Sequence, residues 1–154
     1  MSHSASHVFL GVGSAPVRWS ACTPSPLIQA LPARVAAGFP SPADDHAVQR
    51  LDLMQQLIRH PEATFMLRVR GDSMRDAGIL DGAVLLVDRA IKPQAGHVVV
   101  AVIDGEFVCK TLVRTGQGQW GLRAAHPAYA DRVPHDHETL EVWGVVVASV
   151  LQHA

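Results

Sequence analysis

The chain has 154 residues, 48% of them hydrophobic, which is enough apolar material for one folded domain with a core. Thirteen Lys and Arg stand against fourteen Asp and Glu, with no block of like charge, which argues against a protein whose main task is gripping DNA phosphates. No apolar run reaches the roughly 18 residues of a membrane span, and the opening MSHSASHVFLGVGSAPVRWS lacks the basic start of a secretory signal.

Residues 1 to about 45 differ from the rest. Six of the ten prolines fall there, among alanines, serines and glycines, so regular structure cannot run far. This segment reads as a flexible N-terminal arm with room for short strands at Val8–Val12 and Leu27–Leu31. The stretch ARVAAGFPSPADD within it suits neither a helix nor a central strand. From Asp44 the pattern changes. AVQRLDLMQQLIRH places Val48, Leu51, Met54 and Ile58 at helical spacing, and Pro61 ends the run. Ser41 with Pro42, or else Asp52, is placed to cap its start.

Beyond residue 63 the chain reads as strands. FMLRVR, AVLLVD, HVVVAVI, EFVCKTLV, QWGLRAA and LEVWGVVVASVL are short, rich in β-branched residues and bounded by turn residues. Asp104-Gly105 between two of them predicts a tight hairpin. The last run is nearly all apolar and is expected to be buried on both faces. The fold class is therefore mostly β, with one short helix at the edge of the domain.

Two cysteines, Cys22 and Cys109, make no disulfide framework and read as reduced thiols of a cytoplasmic protein. His126, His135 and His137 lack a metal-ligand spacing, and HDH reads as a polar loop. His97, ahead of a Val-Val-Val run, reads as a turn residue. No metal or cofactor is expected.

Two places carry chemistry. In VRGDSMRDAGILDG a strand ends at Arg70, Gly71 permits a sharp turn, and Ser73 follows on a turn that can expose its hydroxyl. Backbone N–H groups of Asp72 and Ser73 can then face a developing oxyanion. A lone G-D-S is also what an ordinary polar turn looks like. In EFVCKTLV, strand alternation puts Lys110 on one face with Val108 and Leu112, and Cys109 with Thr111 on the other. Such a lysine either covers an edge with its stem while its amine reaches water, or it is desolvated. Burial disfavours the ammonium form, and a neutral amine can accept a proton. Ser73 as nucleophile and Lys110 as general base would make a dyad that needs no histidine.

The run VRGDSMRDAGILDGAVLLVD, followed by DGEFVCKTL, resembles the self-cleaving LexA/UmuD-type serine peptidases of the S24 family. AAGFPSPADD resembles the cleavage region of the UmuD-type branch, and the likeness continues through HPAYADRV and ETLEVWGVVV to the C-terminus. The resemblance implies a compact β-rich S24 domain at 38–154 and an arm, 1–37, removed by cleavage between Ala37 and Gly38. Small residues there let the substrate backbone approach Ser73, with Phe39 as an anchor and Pro40 and Pro42 keeping the segment extended. It also implies a homodimer, cleavage promoted by a RecA filament on single-stranded DNA, and a cleaved form that serves a UmuC-type Y-family polymerase in error-prone synthesis across damage. No membrane and no direct sequence-specific DNA binding are implied. One rival is a LexA-like or phage-like repressor, but a DNA-binding unit needs on the order of 60 residues, and 37 precede Gly38. A signal peptidase shares the dyad but needs an anchor. A non-catalytic interaction protein is the third.

Overall fold

The computed structural model describes residues 17–18, 28–30, 49–134 and 139–154. The proposed cleavage site Ala37–Gly38, the strand expected at Val8–Val12, Cys22, Val48, His135 and His137 lie outside the described residues. Among the described residues there are nine strands: β1 (Val17–Arg18), β2 (Ile28–Ala30), β3 (Gln49–Leu51), β4 (Thr64–Arg68), β5 (Val84–Asp88), β6 (Val98–Ile103), β7 (Glu106–Arg114), β8 (Trp120–Arg123) and β9 (Leu140–Val150). One short helix, α1 (Leu53–Leu57), precedes β4. Seven strands form one antiparallel sheet in the order β1-β4-β5-β9-β6-β7-β8, while β2 and β3 pair separately.

The front of the body departs from the sequence reading. A continuous helix through AVQRLDLMQQLIRH is not what forms. Gln49–Leu51 pair with Ile28–Ala30 instead, and only five residues are helical. The cause is Asp52. Its carboxylate accepts the Gln55 amide at 3.0 Å as an N-cap, a role Asp fills better than a helix-interior one and worth about 1 kcal/mol. Ile58 then closes the helix by donating its amide to the Met54 carbonyl, 2.8 Å, and is buried.

The strands after residue 63 form where their sequences predict. Asp104 and Gly105 turn the β6–β7 hairpin with φ of 50° and 82°, the two positive values of a type I′ turn. The last strand differs from expectation in one respect. Only Gly144 and Val145 are fully buried, and Glu141, Ser149 and Val150 are exposed. Its partners explain this. The 11-residue β9 pairs with β6 over its first half and with β5 over its second. Val145 alone has a partner on both sides, Asp88 and Val99. So β9 splices a β4–β5 half of the sheet to a β6–β7–β8 half.

Register shifts lie on either side of that splice, between Val100 and Ala101 and between Leu86 and Val87. They leave Trp143 and Val147 as the extra residues of β9, and such bulges bend a strand. Trp143 fits edge-on between Phe65 of β4 and Phe107 of β7, with ring centroids 5.1 and 5.3 Å away. Arg89 lies 4.8 Å over its ring and donates to its carbonyl. The aromatic row therefore ties both halves together across one face.

Two apolar clusters fill the domain. One, with Val99, Ala101, Ile103, Leu112 and Leu122, belongs to the β6–β7–β8 half. The other joins Leu85 and Val87 of β5 to Val100 of β6, and adds Met74 and Ile79 from the β4–β5 connection. The buried Asp88 carboxylate, at the end of β5, takes the His60 Nδ1 at 2.6 Å and the Ala90 amide at 2.8 Å. Both oxygens are thereby satisfied, as a buried carboxylate requires.

Gly144 sits at the tightest point of the splice. A Cβ there would lie 2.7 Å from a Val87 methyl and 3.3 Å from the Asp88 carbonyl. Gly144→Ala should therefore lower unfolding stability by about 1–3 kcal/mol, the usual cost of overpacking, in a denaturant melt. An unchanged midpoint would show that β9 and β5 are free to separate there.

Candidate active site

The β4–β5 connection carries Ser73. After β4 the chain reaches Gly71, whose φ of 94° is reached readily by glycine and rarely by a residue with a Cβ. A Cβ there would meet nothing within 4 Å, so the backbone conformation, not space, favours glycine. The Gly71 amide donates to the Asp81 carboxylate at 2.6 Å. A turn follows, with the Arg75 amide on the Asp72 carbonyl at 3.0 Å, and then a 3-10 turn at Arg75–Ala77. Met74, next to Ser73, is 2% exposed and anchors the turn in the second apolar cluster.

Lys110 comes from the other half of the sheet, on β7 opposite Val99. Strand alternation holds around it: Val108 and Leu112 join the first cluster, and Cys109 joins the second. The half-buried Lys110 Nζ reaches Ser73 and hydrogen-bonds its Oγ. Burial pulls the Lys110 amine below its ordinary value of 10.5; only the thiolate form of the neighbouring Cys109 pulls the other way. The neutral amine is the form that can accept the Ser73 proton, so the environment favours the state a base requires.

The Asp72 and Ser73 amides have no backbone acceptor among the described residues. The Ser73 carbonyl takes the Ala125 amide, and the Ala125 carbonyl takes the Asp76 amide, each at 2.8 Å. These two bonds lash the Ser73 turn to the segment after β8. The structure thus brings together Ser73, Lys110 and the Asp72 amide, three of the positions read from sequence. His97 lies in a turn ahead of β6, where its Nδ1 faces the Gln94 amide at 3.3 Å. Among the described residues it makes no hydrogen bond with Ser73 or Lys110.

Two residues at the site were not read from sequence. The Tyr129 hydroxyl donates to Asp72 Oδ1 at 2.6 Å, and His126 Nε2 lies 3.5 Å from Asp72 Oδ2. The segment HPAY marks a turn but carries nothing that ties it to a residue more than fifty positions away. The Tyr129 contact holds the Asp72 carboxyl below the usual range and raises the tyrosine hydroxyl above its own.

A serine hydroxyl on a glycine-led turn, hydrogen-bonded to a desolvated lysine in a β-rich domain, is what a serine hydrolase working without histidine needs. The chain belongs to the Peptidase S24-like family, whose sequence model matches residues 26–147, and so to the serine peptidase class. It is similar to the protein MucA of Salmonella typhimurium, 43% identical over 121 residues, 78% of this chain and 82% of that one. The protein ImpA of Salmonella typhimurium is 56% identical over 80 residues, 52% of this chain and 55% of that one. A LexA repressor of Azoarcus sp. (strain BH72) is 49% identical over 83 residues, 54% of this chain and 41% of the repressor.

Cys109 is a free thiol, and burial pushes it up to about 11. It therefore stays protonated and unreactive near neutral pH. At pH 8 the Cys109 peptide of the folded chain should be alkylated by iodoacetamide far more slowly than after denaturation. Equal rates in a peptide-resolved mass measurement would show that the strand around Lys110 is open to water.

Proposed function

We propose that this protein is a self-cleaving serine peptidase whose substrate is its own Ala37–Gly38 bond. The observation that carries the reading is the hydrogen bond between Lys110 Nζ and Ser73 Oγ, made across two halves of one sheet. In this reading Ser73 Oγ attacks the Ala37 carbonyl carbon while the neutral Lys110 amine takes the hydroxyl proton. Negative charge gathers on the Ala37 oxygen, and the Asp72 and Ser73 amides are its donors. The bond to the Gly38 nitrogen breaks, and Lys110 returns its proton to that leaving amine. Water, deprotonated by the same lysine, then releases residues 1–37 from Ser73. No metal or cofactor takes part.

The domain boundary follows: a removable arm, 1–37, and a body, 38–154. The likeness to LexA/UmuD-type proteins adds the setting. A RecA filament on single-stranded DNA promotes the cut by binding the conformer whose arm lies at Ser73, and it supplies no catalytic group. The body then acts in the cytoplasm as a homodimer beside a UmuC-type Y-family polymerase.

Purified full-length chain, incubated at alkaline pH, should yield two fragments whose intact masses place the cut between residues 37 and 38. Ser73→Ala and Lys110→Ala should each abolish the cut and leave the circular dichroism spectrum unchanged. No cut at any pH, even with RecA, ATP and single-stranded DNA added, would leave a binding protein that has lost its chemistry.

A further inference from the structure

We propose that Tyr129 is a positioning residue of the site: through Asp72 it fixes the Ser73 turn, and with its ring it shields the Lys110 amine from water. The proposal rests on the reading of Ser73 and Lys110 as the dyad. Its ground is a second set of contacts that the dyad itself does not require. The segment after β8 grips the Ser73 turn twice. Ala125 binds it through both backbone groups. Tyr129 then binds it through Asp72, the residue just before Ser73.

The grip is made of several contacts. The His126 ring stands edge-on to the Tyr129 ring with centroids 5.2 Å apart, and His126 Nδ1 faces the Ala128 amide at 3.0 Å. Both carboxylate oxygens of Asp72 are thus faced from this one loop. The Asp72 amide is an oxyanion donor in the proposed reaction. Where the Asp72 side chain is held, the aim of its own amide is held too. A misplacement of about 1 Å can cost a hundredfold in rate.

The ring of Tyr129 has a separate effect. Lys110 Nζ lies 5.7 Å from its centroid. That is the outer limit of a cation–π attraction, which would favour the ammonium. Exclusion of water acts in the opposite sense and is the leading influence on this amine. Tyr129 is itself 45% exposed, so its ring covers the amine on one side only; on that side it excludes water, and in this proposal that exclusion outweighs the weak attraction at 5.7 Å. Among the described residues, the titratable group beside the amine is Cys109 on β7, and the Asp72–His126 pair lies against Tyr129 on the turn and loop. The Asp72 charge is engaged by Tyr129 and His126, and the buried Cys109 stays a thiol. On β8, Arg123 is turned to Asp131 at 2.8 Å.

The chain holds two lysines, Lys92 and Lys110, so lysine-labelled full-length protein gives two signals to follow by NMR during a pH titration. Lys110→Ala identifies the second. Tyr129→Phe keeps the ring and loses the hydroxyl. It should leave the Lys110 midpoint in place and slow cleavage about tenfold at pH values where the amine is already neutral. Tyr129→Ala should slow cleavage and also raise the Lys110 midpoint toward 10.5, with Lys92 unmoved. If the alanine variant fails to fold, Tyr129→Leu, which keeps apolar bulk, should hold the midpoint lower than an exposed lysine. Wild-type cleavage by the phenylalanine variant would overturn the positioning role. A Lys110 midpoint that stays or falls in the alanine variant would overturn the shielding. If the unaltered chain makes no cut dependent on Ser73, the self-cleavage reading fails, and the Lys110 titration still decides the shielding.

Discussion

An amine and a hydroxyl must touch while one of them is kept from water. Lys110 Nζ and Ser73 Oγ meet in this protein, and the ties between the two halves of the main sheet bear on that contact. A lysine in open water holds its proton near neutral pH and cannot act as a base. Partial burial on a strand shifts that balance, because the ammonium form loses more hydration than the neutral amine. The serine supplies a polar partner for the amine in either state, so the buried group is not left unsatisfied.

The two groups come from different parts of the sheet. Ser73 belongs to the β4–β5 half and Lys110 to the β6–β7–β8 half, and β9 is the strand that joins them. The junction is narrow. Within β9, Val145 alone is paired on both sides, and a side chain at Gly144 beside it would collide with Val87 of β5. Three other ties reinforce it: the Phe65–Trp143–Phe107 row, the cluster around Met74, and the backbone bonds between Ala125 and the Ser73 turn. Each crosses from one half to the other. A core that only filled volume would not fix an interatomic distance between the halves; several independent ties of different chemistry do.

Much of this was legible in the sequence because it is local. Strand periodicity, β-branched runs and the Asp104-Gly105 pair report on neighbouring residues, and the sheet strands after residue 63 formed accordingly. Gly71 ahead of Ser73, and Lys110 between apolar neighbours, were legible for the same reason. The misread helix shows the limit. Leu51 and Met54 keep helical spacing, but Gln49–Leu51 found a pairing partner at Ile28–Ala30, and Asp52 served better as a cap than as a helix interior residue. Strand order, the double role of β9 and the Tyr129–Asp72 bond are long-range facts. A tyrosine in HPAY carries no mark of the carboxylate it meets.

The central claim is that a desolvated Lys110 activates Ser73. The most direct test is the rate of self-cleavage of the unaltered chain as a function of pH. Since only the neutral amine can take the serine proton, the rate should rise tenfold per pH unit and then level off. Burial lowers the amine, so the plateau should begin below the ordinary lysine value of 10.5. A rate that is flat across this range, or that keeps climbing past 10.5, would contradict the account.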